Sequence, residues 1–232
     1  MPSAANLIAT PILDHQNAAI RDLAKQCKRE HNSERRLLQA AHRLLVTSVK
    51  PVYSVNELQP ASRTLLLRRG SCSQRMACLE AVSRASDIPT RSRALHVSGR
   101  FWYPRFRALR AFIPKKILLI WPQFFFETAW VDFDELYGSC AELSVTGEPF
   151  TNDGESIFDA VNHTAVDLMG KTCRAESAEG RFDLSQFVLS GAGFFDTRDE
   201  AFEKYGSFHT TLRGKMFEAI YGGRPSVSTA CS

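Results

Sequence analysis

Cys72 follows Arg68-Arg69-Gly70-Ser71 and opens an apolar stretch that holds Met76, Ala77, Leu79 and Val82. A thiol at the first position of a helix meets unpaired main-chain N–H groups and the positive end of the helix dipole. Both favour thiolate, and the same N–H groups can hold the oxyanion formed when a thiolate attacks a carbonyl. Arg68, Arg69, Arg75 and Arg91 would favour the anion further. The plainer reading makes Cys72 a small buried residue, and on residue types alone it takes precedence.

A thiol nucleophile needs a base and, later, an acid. The six histidines, His15, His31, His42, His96, His163 and His209, are scattered, with no HExxH pair. The six cysteines form no C-x-x-C. Neither a metal site nor a cofactor is therefore expected. With no secretory signal visible, reduced thiols in a cytoplasmic protein are expected.

The elements that must position these residues can be read from spacing. Residues 15–31 read as a first helix. Ser33 caps a second, with Leu37, Leu38, Ala41, Leu44 and Leu45 inward, ended by Lys50-Pro51. Residues 51–61 read as a loop, 62–67 as a short helix or turn, and 72–85 as the helix that Cys72 opens. Ser86-Asp87-Ile88-Pro89 stops it, because proline cannot extend the hydrogen-bond ladder. Residues 91–97 read as a strand. A second strand region follows over 117–126, with a bend near Pro122, then a turn at Glu127-Thr128 and a strand over 129–133. Beyond 136 the pattern suggests a helix over 154–169, a helix or strand over 181–190, and a helix over 199–205. Helices first and strands after favour α+β with an antiparallel sheet.

The 232 residues, 44% hydrophobic and 23% charged, suffice for a core without staples and exclude a disordered or fibrous chain. No apolar run approaches the length of a membrane span. The net charge of +4 conceals an asymmetry. Residues 1–116 hold 21 Lys and Arg against 7 Asp and Glu, and the remainder holds 8 against 18. The basic residues lie within periodic segments, so attraction between the two halves of one fold is preferred over an anionic partner. No nucleic-acid-binding signature is present. The strip Arg100–Arg110, RFWYPRFRALR, could grip an anionic substrate through stacking and charge. Its preferred use is as a hairpin whose aromatics cover the sheet while its arginines reach solvent.

Gly70-Ser71-Cys72 and Arg84-Ala85-Ser86-Asp87-Ile88-Pro89-Thr90-Arg91 resemble the transglutaminase-like core of the papain-like thiol proteins. Members show Gly-x-Cys opening a helix, then Arg-Ala-x-Gly-Ile-Pro-x-Arg leading into a strand. Asp87 stands where the family has Gly. The family's later strands read His-Ala-Trp-x-Glu and Trp-Val-x-x-Asp. Here they match Leu119-Ile120-Trp121-Pro122-Gln123 and Trp130-Val131-Asp132-Phe133-Asp134. The resemblance covers about 62–137.

It implies Cys72 as nucleophile and Asp134 as the group orienting the imidazole. Leu119 occupies the imidazole's own position, and leucine can neither take nor give a proton. Asp132 is the alternative carboxylate, read as the outward member of the pair. His96 is the best local base: its strand neighbours the one bearing Leu119, and Ala94 and Ser98 leave room. His163 or His209 could arrive from the C-terminal half. Otherwise general-base chemistry is lost.

The expectation is a single α+β domain over 1–222, N-terminal helices packed on an antiparallel sheet in a papain- or transglutaminase-like core, with a flexible tail over 223–232. Its expected activity is thiol-dependent acyl transfer, or amide-bond formation or cleavage, through a Cys72 thioester. His96 would be the base, Asp134 or Asp132 the orienter, and Arg91, Trp102, Arg105 and Trp121 the substrate-binding residues. The alternative is a catalytically inactive relative that binds a peptide or carrier protein. The expected substrate is a peptide, an amino-acyl group or a carrier-bound acyl group. Neither a membrane nor nucleic acid is expected as a partner.

Overall fold

Two polar side chains start the N-terminal helices. Asn17 accepts a hydrogen bond from the Ala19 N–H at the head of α1 (Ala18–Glu30), and Ser33 from the Arg36 N–H at the head of α2 (Glu34–Ser48). Their inward stripes, Ile20, Ala24 and Cys27 with Leu38, Ala41 and Leu45, join the main core. The computed structural model describes residues 1–104, 110, 113–139, 141–143, 150, 156–164, 166, 168 and 184–226.

The chain then forms β1 (Lys50–Pro51), α3 (Ala61–Leu67) and β2 (Arg69–Gly70). β1 and β2 pair in parallel, where only loop and turn were expected. At Gly70 a Cβ would lie 2.6 Å from the Thr64 methyl, so glycine lets the chain pass close to α3 just before Cys72. Ser71 caps α4 (Cys72–Ala85) with a full capping box: its hydroxyl accepts from the Gln74 N–H, and Gln74 Oε1 accepts from the Ser71 N–H. From Gln74 to Arg84 every residue of α4 is buried, which makes it the central helix. Asp87, after its end, has φ 65°, the left-handed conformation that explains the family's glycine there.

Four antiparallel strands form one sheet, ordered β5-β4-β3-β6, from β3 (Thr90–Ser98), β4 (Lys116–Phe126), β5 (Ala129–Asp132) and β6 (Val188–Phe195). The fold is α+β, as the order of elements implied. β4 runs unbroken through Pro122, where a bend was expected. The Phe125 N–H points to Pro89 on the β3 side. By alternation, the missing N–H of Pro122 would face the other side, beyond the end of β5, whose last residue pairs with Gln123.

The C-terminal half departs further from expectation. In place of a helix over 154–169, the described residues hold one helical turn, α5 (Ile157–Ala160), closed by a turn in which the Thr164 hydroxyl donates to the Ala160 carbonyl. A 3-10 turn at Leu184–Phe187 leads into β6, and α6 spans Arg198–Tyr205. α7 (Leu212–Tyr221) had no sequence-based expectation. The stretch expected as a tail is tied down as far as Ser226: Tyr53 exchanges main-chain hydrogen bonds with Gly223 and Arg224, and the Ser226 N–H donates to the Pro51 carbonyl.

Candidate active site around Cys72

Cys72 is the first residue of α4 and is partly exposed. Its thiol faces α5: the Ser156 hydroxyl and the Phe158 N–H donate to it, while Arg75 and Asp159 bracket it with charge. Burial outweighs the helix terminus, the two donors and Arg75, and raises the thiol pKa. Cys72 is therefore held as a neutral thiol.

The α5 turn is held over α4 by two further contacts. Arg75, fully buried, forms a two-pronged pair with Asp159 at 2.9 and 2.5 Å, and its guanidinium lies 4.5 Å from the centre of the Phe158 ring. His42 on α2 is also fully buried, with Nε2 2.6 Å from the Phe158 carbonyl. A carbonyl only accepts, so Nε2 carries the proton. Nδ1 lies 2.9 Å from the Tyr137 hydroxyl. Burial lowers the His42 pKa to about 4, so this imidazole is neutral.

The sheet brings part of the expected set nearby. Trp121 Nε1 donates to Asp134 Oδ1 at 2.8 Å, and the Trp121 ring meets Phe133 edge-on. Phe133 in turn packs on Phe158. Among the described residues Asp134 has no imidazole as hydrogen-bond partner. Burial, with Asp132 adding to it, raises its pKa to about 7. Leu119 stands two residues before Trp121 on the same strand face, partly buried against the main core, as Cys72 is.

The other expected residues lie elsewhere. His96 pairs with Leu118, its Nδ1 is 3.2 Å from Ser190 Oγ, and its ring meets Tyr205 of α6. Leu95 and Val97, its neighbours along β3, face the core that includes Cys72. His96 thus points away from the thiol, which corrects the expectation of a local base. His163 is exposed against Asn162, and His209 lies in a 3-10 turn before α7. Asp132, expected as an outward alternative, is buried: it accepts from Gln123 and pairs with Arg93 at 3.4 Å. Trp121 is wholly buried, so it holds Asp134 and presents no substrate surface. Trp102 packs edge-on against Phe101. Arg91 lies on the sheet with Gln123, and Arg105 falls outside the described residues. Among the described residues no cluster could hold a metal ion, and no helix is long and apolar enough to cross a membrane.

The model of the transglutaminase-like superfamily matches residues 21–135. This segment belongs to the transglutaminase-like superfamily. The match reaches further upstream than the motifs do, through α1 and α2, and it ends just beyond Asp134. No curated protein and no solved structure matches the chain. The superfamily is one of cysteine-based acyl transfer and hydrolysis in general. Cys72, Leu119 and Asp134 all lie within the matched residues.

Sequence reasoning missed His42, Ser156 and the Arg75–Asp159 pair. His42 lies four residues after Leu38 and three before Leu45, spacing that already puts it on the buried face of α2. Nothing in the sequence joins Arg75 to Asp159, 84 positions later.

Proposed function

We propose that this transglutaminase-like protein binds peptide or carrier-borne acyl groups without turning them over. One observation supports the reading: His96 faces the other side of the sheet from the core on which Cys72 and Leu119 pack, and burial raises the thiol pKa. A neutral thiol is a poor nucleophile.

A second reading, acyl transfer or hydrolysis through a Cys72 thioester, draws on a different observation. Cys72 keeps partial exposure at a helix start, where donors for an oxyanion are expected. Iodoacetamide labelling across pH, read by mass spectrometry on the Cys72 peptide, separates the two. Binding without turnover expects Cys72 to label no faster than an ordinary thiol. Labelling that saturates well below the reference thiol pKa of about 8.5 would overturn it.

A further inference from the structure

Arg91 and Arg93 project from β3 on the sheet face that carries Trp121, beside Gln123 and Trp121 respectively. One carboxylate serves both. Asp132 lies 3.4 Å from Arg93 Nη1 and accepts from Gln123 Nε2 at 2.7 Å, and Gln123 Oε1 accepts from Arg91 Nε at 2.6 Å. Arg93 Nε and Nη1 are buried without a hydrogen-bond partner, and among the described residues the Arg91 Nη groups donate to nothing. The guanidinium of Arg91 lies 4.3 Å from the ring centre of Trp130 and 4.4 Å from that of Phe194, with Arg93 5.1 Å from Phe194. Two cations thus share one aromatic ring and the charge of Asp132, with Asp196 acting on Arg91 as well. Phe194 is 53% exposed, so this box opens at β6.

β6 is an outer strand of the sheet, and among the described residues nothing pairs with its free edge. Its eight residues, VLSGAGFF, carry no charge, and Leu189 is 57% exposed. Such edges are normally blunted by charge, proline or bulges, because they offer main-chain donors and acceptors to any extended peptide. β6 has two irregularities in its pairing with β3, and the Tyr205 hydroxyl donates to the Ala192 carbonyl, while Phe194 and Phe195 pair regularly.

We propose that β6 takes up an extended acidic peptide as an added strand, with one Asp or Glu side chain entering the Arg91–Arg93 box over Phe194. This deepens the binding reading above by giving its partner a chemistry. A residue opposite Phe194 stands about 4.8 Å from it, one strand spacing, and a Glu side chain covers that distance to guanidinium groups already lying over the ring. A carboxylate matches the fork of a guanidinium edge-on, the side that stacking leaves open. The peptide main chain supplies what a free anion lacks, a ladder along β6.

The test uses the full chain, a fluorescein-labelled peptide of alternating Val and Glu, and its Val–Gln counterpart. Anisotropy is expected to show the Glu peptide binding at least about ten-fold tighter, with Arg93→Gln and, independently, Arg91→Gln reducing it to the level of the Gln peptide. Hydrogen exchange is expected to show residues 188–195 gaining protection with the Glu peptide. Equal binding of the two peptides overturns the proposal. So does binding without protection of β6, or full displacement by inorganic phosphate, which would mark a small-anion site. Fast labelling of Cys72 would overturn binding without turnover and leave these peptide results standing, so the two failures are distinguishable.

Discussion

Leu119 and His96 stand on opposite faces of one sheet. Leu119 lies beside Leu95 and packs on the core that includes Cys72, whereas His96 lies beside Leu118 under α6. The first prediction follows from this. Leu119→His returns an imidazole to the thiol's side, so the pH at which Cys72 labels with iodoacetamide is expected to fall by at least about one unit, as a neighbouring imidazolium favours thiolate. His96→Asn is expected to leave that pH unchanged. A profile that moves with His96 and not with Leu119→His would reverse the assignment of faces.

Two buried groups near the site set opposing pH dependences of stability. His42 has its pKa lowered from 6.5 to about 4 on folding, so its contribution is present above 6.5 and is lost as pH falls toward 4. Asp134 has its pKa raised from 3.8 to about 7, so its contribution is present below 3.8 and is lost as pH rises toward 7. The linked energies are about 3 and about 4 kcal/mol. Over the shared window these two slopes oppose each other, so the comparison of urea midpoints is read as the difference between the unaltered protein and a variant that lacks one of them. Asp134→Asn keeps an acceptor for Trp121 and removes the falling limb, so its midpoint is expected to climb with pH. A slope in Asp134→Asn no steeper upward than in the unaltered protein contradicts this assignment.

The hairpin between β4 and β5 places both turn residues, Glu127 at φ 53° and Thr128 at φ 67°, in the left-handed region. A β-branched residue is strained there, and glycine is the residue such turns favour. Thr128→Gly is expected to raise stability by about 1–2 kcal/mol in urea unfolding. The Glu127–Arg35 ion pair is untouched by this change. An unchanged or lowered midpoint would mean that the Thr128 hydroxyl, which donates to the Glu127 carbonyl, outweighs the strain.

What was legible in the sequence follows physical lines. The Cys72 helix could be placed because a tight Gly turn, a capping Ser and a terminating Pro all mark it locally. The strands β3 and β4 could be placed from their apolar and β-branched runs. α7 was not, because its apolar residues do not mark a buried face: Leu212 is 76% exposed, with Met216 and Ile220 also outward. β6 was only half seen, since two irregularities in its pairing with β3 break the alternation. The α5 side of the site escaped because Ser156 and Asp159 meet α4 only through tertiary packing.

The bolt between α4 and α6 carries the last prediction. Arg198 donates from Nε to Glu80 at 2.6 Å, from Nη1 to Ser73 at 2.9 Å and from Nη2 to the Ile120 carbonyl at 3.3 Å. Both partners of the ion pair are fully buried, and among the described residues Glu80 Oε2 has no hydrogen bond. Burial raises the Glu80 pKa, and Arg198 opposes that rise. Removing Arg198 leaves a buried carboxyl uncompensated, so Arg198→Met is expected to cost about 3–5 kcal/mol. Glu80→Leu in the same chain removes the orphan and is expected to recover part of the loss. The exposed Lys28–Asp87 pair serves as the control: Lys28→Ala is expected to change stability by less than about 1 kcal/mol. Urea unfolding of the four proteins reads the comparison. If Arg198→Met costs no more than Lys28→Ala, the bolt does not hold α6 to the central helix. If the double variant is no more stable than Arg198→Met, the loss comes from packing, not from the stranded charge.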